Sequence, residues 1–153
     1  NGKPKLAPPF AASGIEFNLS HSNELALVAV NQTDEIGVDI EFANHDFDFL
    51  EVANHFFTKR EVAALRALPS TLQCEGFYKC WTSKEAFLKA KGTGLSGQLD
   101  EVEIVLVGEQ VQIAASVRGW SLVELESSEG YATALVTKNK PLEVFCYRWK
   151  AGW

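Results

Sequence analysis

The sequence has no methionine, three cysteines and five prolines, and it lacks any apolar run approaching the ~20 residues of a membrane-spanning helix. Each shortage excludes something. Without such a run there is no helical span, and no basic, apolar and small-residue succession marks a secretory leader. Cys74, Cys80 and Cys146 are odd in number and lack metal-ligand spacing, so they read as reduced core thiols, as in a cytoplasmic protein. Positive charge is also scarce. Fourteen Lys and Arg against 20 Asp and Glu leave a net charge of −6, the reverse of the basic footprint that nucleic-acid binding needs. An anionic ligand must then be met by a few local groups. With no methionine and Asn1 in first place, the chain reads as a segment of a longer product.

What is present suits one globular domain: 153 residues, 46% hydrophobic and 22% charged, enough to bury a core. Gly2 to Pro9 holds three of the prolines and reads as an extended lead-in. Ile15, Phe17 and Leu19 then alternate with Glu16, Asn18 and Ser20, a strand pattern, and Leu25 to Val30 follows a polar turn, which together predict a hairpin. Ile36 to Glu41 predicts a third strand with Ile36, Val38 and Ile40 on one face and Gly37, Asp39 and Glu41 on the other. Asp46 to Phe57 is rich in Phe and turns helical near its end. Thr58 and Glu61 fit a capping box opening a helix through Leu68, which Pro69 ends. A longer helix is expected from about Thr71 to Lys91, stopped by Gly92, Gly94 and Gly97. The remainder predicts strands over Val102–Val107, Val111–Ala115, Trp120–Glu126, Tyr131–Val136 and Leu142–Trp149.

The long helix carries the unusual chemistry. Phe77, Cys80, Trp81, Phe87 and Leu88 gather in one apolar stripe, with Glu85 and Lys89 one turn apart along its edge. Lys84 falls inside the stripe, where a lysine must snorkel out or meet an anion. Glu85 and Lys89 taken alone suit an ordinary i,i+4 salt bridge, and Asp39 with Glu41 suits an ordinary solvated strand face. Taken together, the three carboxylates suit Mg²⁺ holding a phosphate, because that ion takes a few carboxylate oxygens plus water and phosphate oxygens. Ser20, His21 and Ser22, at a strand end, fit anion contacts better than nucleophilic catalysis, which would need a third orienting group. Trp81 reads as core.

FNLSHS at Phe17–Ser22, GVDIE at Gly37–Glu41 and WTSKEAFLKAKGTGL at Trp81–Leu95 together resemble the motif set of the 4′-phosphopantetheinyl transferases of the two-subdomain, surfactin-synthetase-activator type. The small trimeric holo-carrier-protein synthases fit less well, since their counterpart of GVDIE lies almost at the chain start. The resemblance implies an α+β fold, an antiparallel sheet packed against helices, pseudo-dimeric in full-length members, with coenzyme A in the cleft between subdomains. Residues 1–36 would belong to the N-terminal subdomain, most of which lies outside this chain, and 37–153 would form the C-terminal subdomain. The implied activity is Mg²⁺-dependent transfer of 4′-phosphopantetheine from coenzyme A to a serine of an acyl or peptidyl carrier protein, releasing 3′,5′-ADP. Asp39, Glu41 and Glu85 would hold Mg²⁺. Glu85 would also act as general base, and Lys89 would balance the pyrophosphate or protonate the leaving group. Lys84 would support the same charge, and Ser20, His21 and Lys3 would contact coenzyme A phosphates. Glu61 falls at an acidic position of the family, although the capping box accounts for it without catalysis. No nucleic acid and no membrane is expected as partner. Lacking part of its cleft partner, the chain is expected to self-associate through an exposed hairpin.

Overall fold

Alternating apolar and polar residues build β1 (Ile15–Ser22) and β2 (Leu25–Gln32), which pair antiparallel with Ile15 opposite Gln32 and Ser22 opposite Leu25. The turn between them places Asn23 at φ 49°, a left-handed conformation that asparagine tolerates. The computed structural model describes residues 3–32, 34–93, 99, 102–107, 110–113, 117–139 and 143–149. Strand β3 (Ile36–Phe42) is followed by helices α1 (Phe49–Phe56), α2 (Lys59–Ala67) and α3 (Ser70–Lys91), then by β4 (Ile104–Val107), β5 (Gln110–Ile113), β6 (Trp120–Val123) and β7 (Tyr131–Lys138). β3, β7 and β6 form one antiparallel sheet in that order, with Asp39 opposite Ala134, while β4 and β5 form a separate hairpin. The architecture is α+β, antiparallel sheets packed against helices, as expected.

Caps set the helix boundaries. The Asp48 side chain accepts the Glu51 N–H at the start of α1, and Thr58 with Glu61 closes a reciprocal capping box on α2. α3 ends where Gly92 turns left-handed at φ 74°. The single apolar stripe expected on α3 is too narrow a description, because this helix is buried on nearly every side. Phe77 stacks on Phe57 and on Trp81 (centroids 5.4 and 5.9 Å apart) toward α1, and Trp81, partly buried, packs against the core as expected. Phe87 meets Trp120. The described residues hold no helix long and apolar enough to cross a membrane.

β3 is buried on both faces from Ile36 to Ile40, with Glu41 half-buried, so the ordinary solvated face that Asp39 and Glu41 suit when taken alone is not what the strand presents. Ile36 and Val38 join Leu135 and, from β2, Leu27 and Ala29 in a small apolar cluster. The opposite face, with Gly37, lies on the backbone of α3, so that a Cβ on Gly37 would collide with the Ala86 carbonyl and the Ala90 N–H. Two later expectations also change. β6 stops at Val123, and the described residues 143–149 carry no regular structure where a strand over Leu142–Trp149 was anticipated. An alternating pattern marks a face but needs a neighbouring strand to pair with. Gly94, Gly97, Ala114 and Ala115 fall outside the described residues.

Gly37→Ala should push β3 off α3 and destabilise the fold by about 3 kcal/mol, the upper range for overpacking against immobile atoms. Urea unfolding followed by tryptophan fluorescence measures this loss; a change under about 0.5 kcal/mol, the range of ordinary surface substitutions, would contradict the close approach.

Candidate active site

The site forms where β1, β3 and α3 meet. β3 is the edge of its sheet, and its outward N–H groups find no strand ladder. β1 supplies side chains instead: Asn18 Oδ1 accepts the Val38 N–H (2.9 Å), Ser20 Oγ the Ile40 N–H (3.4 Å) and Ser22 Oγ the Phe42 N–H (3.0 Å). The two serines turn their protons onto the acids of the next strand. Ser20 donates to Asp39 Oδ1 at 2.7 Å and Ser22 to Glu41 Oε2 at 2.9 Å. From α3, Lys89 Nζ reaches Asp39 Oδ1 at 2.6 Å and Ser20 Oγ at 2.9 Å. Lys89 thus crosses to the sheet and takes Asp39 as its partner, in place of the i,i+4 bridge to Glu85 that spacing alone suggested.

Burial governs the electrostatics. Asp39 is 2% exposed and Glu85 9%, and one oxygen of each, Asp39 Oδ2 and Glu85 Oε1, is buried without a hydrogen-bond partner. Desolvation raises the Glu85 carboxyl from its ordinary 4.5 to about 7; Asp39 and Glu41 add to the rise and Lys89 opposes it. Burial also raises Asp39, against the pull of Lys89 and Ser20, and raises Glu41, against its bond from Ser22. Among the described residues no three acidic, His or Cys side chains already converge as a finished metal cage. The donor chemistry nevertheless fits a hard divalent cation: the donors are oxygens of three mutually repelling carboxylates, two of them with buried oxygens that lack a proton donor.

The structure brings together Asp39, Glu41, Glu85, Lys89 and Ser20 and separates the remaining candidates. His21, on the opposite face of β1 from Ser20, is exposed. Lys3 is held by Glu16 at 3.0 Å and its stem lies beside Gly92. Lys84 requires correction as a phosphate contact. It is wholly buried on the far side of α3, and its ammonium donates to the Leu99 and Val102 carbonyls (2.7 and 2.6 Å) and to Glu61 Oε1 (2.8 Å). Three protons meet three acceptors, leaving none for a phosphate. Glu61 is equally saturated, taking the Ile104 N–H on Oε1 and the Thr58 N–H on Oε2, both at 2.7 Å. Its role is structural. Sequence reading missed that Lys84 and Glu61 are partners, since 23 residues separate them and only the docking of α2 on α3 joins them. It also missed the grip of Ser22 on Glu41, for which the period-2 run Asn18, Ser20, Ser22 was the available signal.

Two outcomes test this geometry. Lys84→Met strands the Glu61 charge and should cost about 3 kcal/mol or more in urea unfolding, whereas adding Glu61→Gln should return part of that loss, because no lone buried charge remains. An equal loss in both variants would contradict the pairing. Glu85 contributes fully to stability below pH 4.5, its unfolded value, and that contribution disappears as pH rises through about 7. In chelator, Glu85→Gln should therefore gain on the parent between pH 4.5 and 8, by up to about 3 kcal/mol; a pH-independent difference would contradict the raised carboxyl.

Comparison with known proteins reaches the same elements. Residues 35–136 match the family described as the 4′-phosphopantetheinyl transferase superfamily. The 4′-phosphopantetheinyl transferase HetI of Nostoc sp. is 42% identical over 134 residues, which is 88% of this chain and 56% of that protein. The transferase Sfp of Bacillus subtilis is 39% identical over 90 residues (59% and 39%), and AcpT of Escherichia coli is 34% identical over 102 residues (67% and 50%). The chain thus spans about half the length of these curated relatives. Its fold is shared by a crystal structure of a holo-(acyl-carrier-protein) synthase from Bacillus anthracis in complex with CoA (3′,5′-ADP), with a TM-score of 0.57, 23% identity, and coverage of 69% of this chain and 96% of that one. Because the family match takes in β3, α3 and most of β7, the elements that carry and cover the acidic cluster, this chain belongs to the 4′-phosphopantetheinyl transferase superfamily.

Proposed function

We propose that this protein transfers 4′-phosphopantetheine from coenzyme A to a serine hydroxyl of an acyl or peptidyl carrier protein, in a Mg²⁺-dependent reaction that releases 3′,5′-ADP in the cytoplasm. In this reading residues 1–36 belong to an N-terminal subdomain and 37–153 to a C-terminal one. The observation that carries it is the cluster of buried Asp39 and Glu85 with half-buried Glu41 beside Lys89, with one oxygen each of Asp39 and Glu85 left unpartnered. Transfer needs three things of the protein: a base for the serine proton, positive charge against the phosphates, and exclusion of water. Glu85, with Oε1 buried and without a hydrogen-bond partner, is the group that would accept the serine proton. The serine oxygen bonds to the β-phosphorus, the phosphoanhydride opens, and its electron pair leaves with 3′,5′-ADP.

Asp39, Glu41 and Glu85 would hold Mg²⁺, which supplies charge neutralisation on the pyrophosphate. Lys89 spends two protons on Asp39 and Ser20, and its partly exposed ammonium can turn toward a phosphate oxygen. His21, exposed at the end of β1, is assigned to the 3′-phosphate of coenzyme A. Lys3 can join the phosphate side on release from Glu16. A second reading is a module that docks a carrier protein or self-associates without transfer. The outer face of the β1–β2 hairpin favours it, because Ile15, Leu19, Val28 and Val30 are all exposed there.

Incubation with labelled coenzyme A, Mg²⁺ and apo carrier protein decides between them. Covalent label on the carrier is expected, with Asp39→Ala losing at least 100-fold (order of magnitude for a lost metal ligand). His21→Ala should weaken coenzyme A more than dephospho-coenzyme A. Carrier binding or dimerisation without label would favour the second reading.

A further inference from the structure

FNLSHS contributes its serines to this site differently from its histidine. β1 lies along β3 at a constant offset of 20 residues, and one three-way contact is made twice in succession. Ser20 accepts the N–H of Ile40 and donates to Asp39; Ser22 accepts the N–H of Phe42 and donates to Glu41. A serine hydroxyl has a single proton, and in both cases a carboxylate oxygen takes it. The backbone bond fixes where each hydroxyl stands, and the hydroxyl fixes which way each carboxylate faces. For Asp39, Oδ1 is held while Oδ2 remains buried without a partner.

We propose that Ser20 and Ser22 are positioning residues that orient the carboxylates of Asp39 and Glu41 for a divalent cation, and that neither is a phosphate contact. The proposal rests on the metal-dependent reading given above. Its chemistry is general: a carboxylate on a strand rotates about its own torsions, and a fixed donor on one oxygen removes that freedom and turns the other toward a ligand. Ser20 is shared with Lys89, which entangles it with a second charge. Ser22 has no such tie to Lys89 among the described contacts and gives the cleaner test.

Mn²⁺ alone, titrated into the full chain and followed by electron paramagnetic resonance, reads the site without substrate. Ser22→Ala should weaken Mn²⁺ roughly tenfold, the lower range for loss of a group supporting a ligand, and should raise the Mg²⁺ needed for half-maximal transfer similarly. The preference for coenzyme A over dephospho-coenzyme A should stay unchanged. Ser22→Thr, which keeps the hydroxyl, should restore Mn²⁺ binding. If Ser22→Ala does not fold, Ser22→Cys keeps the volume with a weak donor and should show the same weakening. Unaltered Mn²⁺ binding in the folded variant, or a changed coenzyme A preference, overturns the proposal. A parent chain that binds no Mn²⁺ overturns it together with the metal-dependent reading, whereas a parent that binds Mn²⁺ beside an unaffected Ser22→Ala overturns this proposal alone.

Discussion

The contact of β3 with the backbone of α3 at Gly37 is the constraint on which the site depends. A strand normally stands off a helix by the depth of its side chains. Here Gly37 on the strand, with Ala86 and Ala90 one turn apart on the helix, removes that depth. The residues that follow inherit the closeness: Asp39 and Glu85 are brought out of water where neither would go unaided. Their raised affinity for protons, the oxygens left without donors and the demand for a cation are consequences of one missing side chain. Lys89 meets part of that demand from within the chain, and it does so by bonding the strand.

Two lysines five residues apart on α3 show how position decides function. Lys84 points to α2 and the approach to β4, where every ammonium proton has an oxygen, two of them backbone carbonyls that cannot leave. Such a group is a cross-link, valuable for fixing how α3 is rotated and costly to disturb. Lys89 lies on the opposite flank, partly open, with a side-chain carboxylate and a hydroxyl as partners, both of which can be shared with an incoming anion. The rotation fixed by the first lysine is what keeps Glu85, its neighbour in sequence, turned toward β3.

Much of this was legible in the sequence where short-range rules apply. The hairpin at Ile15–Gln32, the capping box of Thr58 and Glu61 and the glycine stop at Gly92 follow from period, cap chemistry and backbone freedom, and they appear where those rules put them. The acids Asp39, Glu41 and Glu85 were legible through their joint spacing. What failed required knowing a neighbour. Lys84 was read as reaching for phosphate because Glu61, its partner, belongs to another helix. Residues 143–149 alternate as a strand should, yet a strand exists only where another can pair with it. Ser20 and His21 were treated as one anion-binding unit, although period 2 already places adjacent residues on opposite faces.

The way β1 is joined to the rest makes the site unusual. A ladder of backbone bonds would fix β1 against β3 whatever its side chains were; here Asn18, Ser20 and Ser22 replace the ladder, so the same three residues hold the hairpin in place and hold the acids in orientation. Beyond these, the hairpin is anchored to the sheet by the packing of Leu27 and Ala29 on Ile36, Val38 and Leu135 and by one bond from the Asn31 amide to the Thr137 hydroxyl at 3.3 Å. A two-stranded hairpin has little stability of its own, and its outer face is apolar and open. Carboxylate geometry and hairpin docking are therefore one equilibrium. Any contact that steadies the outer face of β1 and β2 also steadies Asp39 and Glu41, so this surface can transmit an effect to the acidic cluster without touching it.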